Sequence, residues 1–121
     1  MSSMVNICVL VSGGGTNLQA LIDAKPYENG QLSLVISSSS EAYALKRAEC
    51  AGIRHQTLNP SDFKTRQDFT NALMDILRAN GINLVVLAGF MFILPPSFTK
   101  HFCAINVHPS LIPALDRKSV V

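Results

Sequence analysis

The run Val5-Asn6-Ile7-Cys8-Val9-Leu10-Val11, broken at once by Ser12-Gly13-Gly14-Gly15, constrains this chain more than any other feature. Its aliphatic residues fall on both alternating faces, which suits a strand covered on both sides. The run is too short to span a membrane, and no basic region precedes it as in a secretory signal. Behind the glycines, Thr16–Lys25 places Leu18, Leu21 and Ile22 at helical spacing, and Pro26 stops it. A buried strand feeding a helix through a glycine turn is the opening of a βαβ unit.

The rest of the chain repeats the alternation. Leu32–Ile36 predicts a second strand, and Ser37–Ser40 a solvated connection in which Ser40 serves as N-cap. A helix over Glu41–Ala51 ends at Gly52, and Arg54–Leu58 predicts a weak third strand. Turn chemistry at Asn59-Pro60-Ser61-Asp62 leads into a helix carrying Phe69, Leu73, Ile76 and Leu77, closed by Asn80-Gly81. Leu84–Leu87 is a fully apolar strand, Gly89 to Leu94 an apolar loop, and Pro95-Pro96-Ser97 the start of a short helix. Ala104–Val107 is the last strand. The order predicts an α/β fold with a doubly wound, mostly parallel sheet of about five strands and right-handed crossovers.

Bulk properties narrow the function classes. Of 121 residues, 48% are hydrophobic and 15% charged, so a packed single domain is expected. A net charge of +2 without a basic run gives no footprint for nucleic acid. Cys8, Cys50 and Cys103 lack metal-type spacing, no Cys/His/Asp/Glu cluster suggests a metal, and reduced thiols in a cytoplasmic protein are expected.

Two constellations carry candidate chemistry. In Ser12–Asn17 the glycines permit close approach of a phosphate to a helix N-terminus, whose dipole favours an anion. A plain strand-to-helix turn is the alternative, although three glycines exceed what a turn needs. Leu18 stands where a dinucleotide fingerprint needs glycine, and Leu18-Gln19 where a P-loop needs Gly-Lys. Ser37 and Ser38 stand where a dinucleotide site wants an acid, so neither NAD nor ATP is indicated. The second constellation is Asn106-Val107-His108-Pro109-Ser110. Asn106 and His108 share a face at a strand end, where an amide donor beside an imidazole suits acyl transfer. An ordinary polar pair capping the strand fits the spacing equally. His55 and His101 read as surface or packing residues.

Three segments carry a resemblance: Val9–Ala20 with Ser-Gly-Gly-Gly-Thr-Asn at its centre, Val85–Met91, and Asn106–Pro113. From about Val5 to Leu115 the chain resembles the folate-dependent formyltransferases, and within them the glycinamide ribonucleotide formyltransferase family. That resemblance implies a formyltransferase N-terminal, Rossmann-like domain over residues 1–115. It implies transfer of a formyl group from 10-formyltetrahydrofolate to the amine of 5-phosphoribosylglycinamide in purine biosynthesis, with no metal. Carried over, Gly15, Thr16 and Asn17 hold the substrate phosphate, while Asn106 and His108 stabilise the oxyanion and handle protons. Arg66, Met91, Phe92, Ile93, Leu94 and Asn106 line the folate site, with Phe92 standing where the family often has a basic residue. The family also continues past this point with further strands and a catalytic aspartate. Residues 116–121 are therefore expected to be a non-native tail, the sheet to be truncated, and the chain as it stands to be inactive. The alternatives are a sibling folate-dependent formyltransferase or hydrolase, and a non-catalytic phosphate- or nucleotide-binding module.

Overall fold

The computed structural model describes residues 5–24, 30–40, 42–90, 92 and 94–107. Five strands form one sheet: β1 (Val5–Val11), β2 (Gly30–Ser37), β3 (His55–Thr57), β4 (Leu84–Ala88) and β5 (Cys103–Val107). Their order across the sheet is β3-β2-β1-β4-β5, and every pairing is parallel. The sheet expected to be mostly parallel is thus wholly so among the described residues, with β1 at its centre.

Helices α1 (Thr16–Asp23), α2 (Tyr43–Cys50), α3 (Arg66–Ala79) and α4 (Pro96–His101) supply the crossovers. The two faces of β1 explain why its run is apolar throughout. Cys8 and Leu10 pack with Phe69, Leu73 and Leu77 of α3 and Phe98 of α4. Val9 and Val11 pack with Leu18 of α1 and Ala44 and Ala48 of α2. Val9, Leu10 and Val11 are 0% exposed; burying side chains of this size contributes roughly 1.5–3 kcal/mol each. Helix α3 shows the predicted stripe, with Phe69, Leu73 and Leu77 buried and Ile76 packed at its margin.

Helix ends follow the sequence where a glycine terminates them. Gly52 and Gly81 take φ 73° and 64°. Past α2, the Gly52 and Ile53 amides donate to Glu49 and Ala48 carbonyls; past α3, those of Gly81 and Ile82 donate to Arg78 and Leu77 carbonyls. Both are Schellman closures, which need the left-handed conformation that glycine adopts without strain.

The start of α2 differs from expectation. Its N-cap is Ala42, not Ser40, and no side chain caps it. The Ala44 amide instead donates to the carbonyl of Gly13 at 3.3 Å, so a distant loop supplies the acceptor that a capping hydroxyl would have provided. The serine run is also less solvated than expected. Ser37 is buried at the end of β2, its Oγ donating to the Ser39 carbonyl, and the Ser38 hydroxyl meets that of Ser12. The expected tail, residues 116–121, lies outside the described residues.

Candidate functional site

In this topology the chain runs outward from β1 to β3 on one side, then restarts at β4 on the other. The reversal opens a crevice between the C-terminal ends of β1 and β4, the position at which open α/β sheets bind ligands. Gly13, Gly14, Gly15, Thr16 and Asn17 after β1, with Ala88 and Gly89 after β4, line a cavity of about 190 Å³ there.

The three loop glycines are glycine for different reasons. Gly15 is the N-cap of α1 at φ 82°, and a Cβ on it would lie 2.7 Å from the Ala44 Cβ and 2.8 Å from the Ala44 Cα. It is required by its backbone conformation and by the packing of α2 on the loop. Gly13 and Gly14 have neither constraint: both lie outside the left-handed region, and nothing stands within 4 Å of an added Cβ. The fold does not need these two glycines, but a ligand approaching the backbone would.

The electrostatics suit an anion. Helix α1 has no side-chain cap and no acidic residue in its first turn. Its first intrahelical bond runs from the Gln19 amide to the Gly15 carbonyl at 2.8 Å, so the amides before it are outside the helical ladder. They carry the positive end of the helix dipole towards the cavity.

Asn17 is 5% exposed, and its Nδ2 donates to the Val107 carbonyl at 3.4 Å. Its side chain ties the glycine loop to the end of β5, and the residue lines the cavity. Asn106 pairs in register with Leu87 and lies exposed on the sheet face opposite that of Val107. That face is shared with Ala104 and Leu87, which pack against the α3 side of the core.

The expected folate-site residues that are described also lie on that side. Phe92 packs 4.5 Å from Phe69 between ring centroids, with Phe90 6.3 Å from Phe92. Leu94 is half-buried against the same cluster. Arg66, the first residue of α3, is exposed and places its guanidinium 5.6 Å from the centroid of Phe92. A cation therefore still sits over position 92, although the residue there is aromatic. His108, Met91 and Ile93 lie outside the described residues.

Sequence reasoning missed Arg47. From α2 its Nε donates to the Gly14 carbonyl at 2.8 Å and one terminal nitrogen to Gln19 Oε1 at 3.1 Å. No periodicity or motif marks a contact made across 33 residues of chain. A larger cavity, about 420 Å³, lies at the opposite end of the sheet around Asn6, Gln31 and Arg54. Its polar groups are already paired with one another: Gln31 Nε2 with Asn6 Oδ1, Asn6 Nδ2 with the Gly81 carbonyl, and Arg54 with Asn80 Oδ1. Among the described residues no group of three or more His, Cys, Asp or Glu side chains is placed to hold a metal ion. Nor is any described helix long and apolar enough to cross a membrane.

Comparison with known proteins decides the family, because the family model described as "Formyl transferase" matches residues 5–117. The chain belongs to the formyl transferase family. Phosphoribosylglycinamide formyltransferase of Escherichia coli (strain K12) is 42% identical over 113 residues, which are 90% of this chain and 53% of that protein. The trifunctional purine biosynthetic protein adenosine-3 of Homo sapiens is 40% identical over 112 residues, 89% of this chain and 11% of that protein. Among solved structures, glycinamide ribonucleotide transformylase 1 from Symbiobacterium toebii superposes with a TM-score of 0.82 at 38% identity, covering 88% of this chain and 52% of that one. The chain thus spans about half the length of the bacterial formyl transferases it matches.

Proposed function

We propose that the protein transfers a formyl group to the glycinamide amine of 5-phosphoribosylglycinamide in de novo purine biosynthesis, acting in the cytoplasm. The observation that carries this reading is the loop Gly13–Asn17 at the switch point, where two glycines free of packing demands face a cavity beside an uncapped helix start. That combination suits a substrate phosphate held through backbone amides of Gly15, Thr16 and Asn17.

The formyl donor in this reading is 10-formyltetrahydrofolate, which supplies an activated one-carbon unit when bound. The residues present fit it: Phe92 and Leu94 are half-buried apolar walls, and the exposed Arg66 guanidinium suits an anionic portion of the ligand. The resemblance adds Met91 and Ile93 of the same segment to the proposed folate contacts. Asn106, an exposed amide at the C-terminal edge, would donate to the oxygen that gains negative charge during acyl transfer. His108, two residues on, would accept the proton leaving the amine. The Asn17 bond to Val107 fixes the backbone between these two residues, coupling the phosphate loop to the reacting end of β5.

The test is a formyl-transfer assay of the protein with both substrates, in wild type and His108→Ala. With the sequence joined to the remaining length of a full-length relative, wild-type turnover is expected, and the variant should lose kcat by about 100-fold or more with KM little changed, because the histidine acts in the transition state. A loss confined to KM would contradict the assignment. A protein that binds 5-phosphoribosylglycinamide but transfers nothing to it would instead be a non-catalytic binding module.

A further inference from the structure

We propose that Arg47 is a positioning residue that aims the glycine loop's amides at the substrate phosphate. The proposal rests on the reading of Gly13–Asn17 as the phosphate site. Two successive loop carbonyls are held from the α2 side: that of Gly13 accepts from the Ala44 amide at 3.3 Å, and that of Gly14 from Arg47 Nε at 2.8 Å. In a trans peptide the C=O and the following N–H point in opposite directions. Holding both carbonyls towards α2 therefore turns the amides of Gly14 and Gly15 away from α2.

Gly13 and Gly14 have no side chains with which to resist rotation of these peptide planes, and no neighbour within 4 Å of their Cβ positions limits them. An external tether has to hold the orientation, and Arg47 is built as one. Its guanidinium lies 4.9 Å from the centroid of the Tyr43 ring, and a terminal nitrogen donates to Gln19 Oε1. Gln19 is in turn oriented by its Nε2 donating to Asp23 Oδ1 at 2.9 Å. This chain from Asp23 through Gln19 and Arg47 to the Gly14 carbonyl couples the last turn of α1 to the loop before its first turn. Arg47 engages the carbonyl side of the loop, so it acts on the ligand through the backbone rather than by contact.

The experiment compares wild type, Arg47→Met and Arg47→Lys in calorimetric titrations with 5-phosphoribosylglycinamide and with the same molecule lacking its 5′-phosphate, alongside thermal melting. Arg47→Met should weaken binding of the phosphorylated ligand about tenfold and leave the unphosphorylated one within about twofold. Arg47→Lys keeps the charge but not the two-pronged donor geometry, and should still show a selective loss of about threefold. If Arg47→Met fails to fold, the lysine variant decides. Unchanged phosphate affinity in the folded variants, an equal loss for both ligands, or full rescue by lysine would each overturn the positioning role. If wild type itself shows no preference for the phosphorylated ligand, the phosphate-loop reading falls, and this proposal with it.

Discussion

At the scale of single residues, neighbouring glycines in one loop do different work. Gly15→Ala forces a non-glycine residue to φ 82° and drives its methyl to 2.7 Å from Ala44 Cβ and 2.8 Å from its Cα, part of a helix backbone that cannot swing aside. The strain and overlap together should cost about 2–4 kcal/mol and lower Tm by several degrees. Gly14→Ala meets nothing within 4 Å and should leave Tm nearly unchanged. The same methyl narrows the cavity where a phosphate would approach, so ligand affinity should fall by at least about tenfold. Thermal melting and titration on the two variants separate a packing glycine from a binding glycine. A Gly14→Ala protein with normal affinity would show that the cavity is not the phosphate site. Cys8 illustrates the same division between buried and exposed chemistry. Burial raises its thiol pKa far above the ordinary value, so it stays protonated and inert, whereas Cys50 and Cys103 are exposed.

At the scale of elements, whatever is written in local pattern was legible in advance. The strands β1, β2 and β4 follow aliphatic runs, and α3 follows the spacing of Phe69, Leu73 and Leu77. The stops at Gly52 and Gly81 follow from the glycine's access to positive φ. What was not legible depends on partners distant in sequence: the cap of α2 on the Gly13 carbonyl, the reach of Arg47, and the tether from Asn17 to Val107. The glycine loop could be proposed as a ligand site, but its sequence could not say which glycine packs and which is left open to a ligand. That distinction needed Ala44 in space. A local device can be tested at this scale too. Thr65 Oγ1 accepts the Asp68 amide at 3.0 Å and caps the helix that carries Arg66 and Phe69. Thr65→Ala should destabilise the protein by about 1 kcal/mol in denaturant melts. No measurable change would mean that tertiary packing alone holds the start of α3.

For the whole molecule, the strand order decides where chemistry can happen. Reversing direction between β1 and β4 gathers the glycine loop, Gly89 and the end of β5 at one edge, with the aromatic cluster of Phe69, Phe90 and Phe92 on the α3 side. In the proposed reading a phosphate lies on the α1 side of this edge, and Asn106 faces the other. The 113 residues aligned with the Escherichia coli relative correspond to 53% of that protein.

In the proposed function the switch-point loop, not the larger polar cavity at the opposite end, receives the phosphate. The most direct measurement is the change in backbone amide resonances when 5-phosphoribosylglycinamide is titrated into ¹⁵N-labelled protein. Saturable shifts are expected at Gly13, Gly14, Gly15, Thr16, Asn17 and Gly89, with Asn6, Gln31 and Arg54 unmoved. Shifts centred on Asn6, Gln31 and Arg54, or a glycine loop that stays silent while ligand binds, would contradict it.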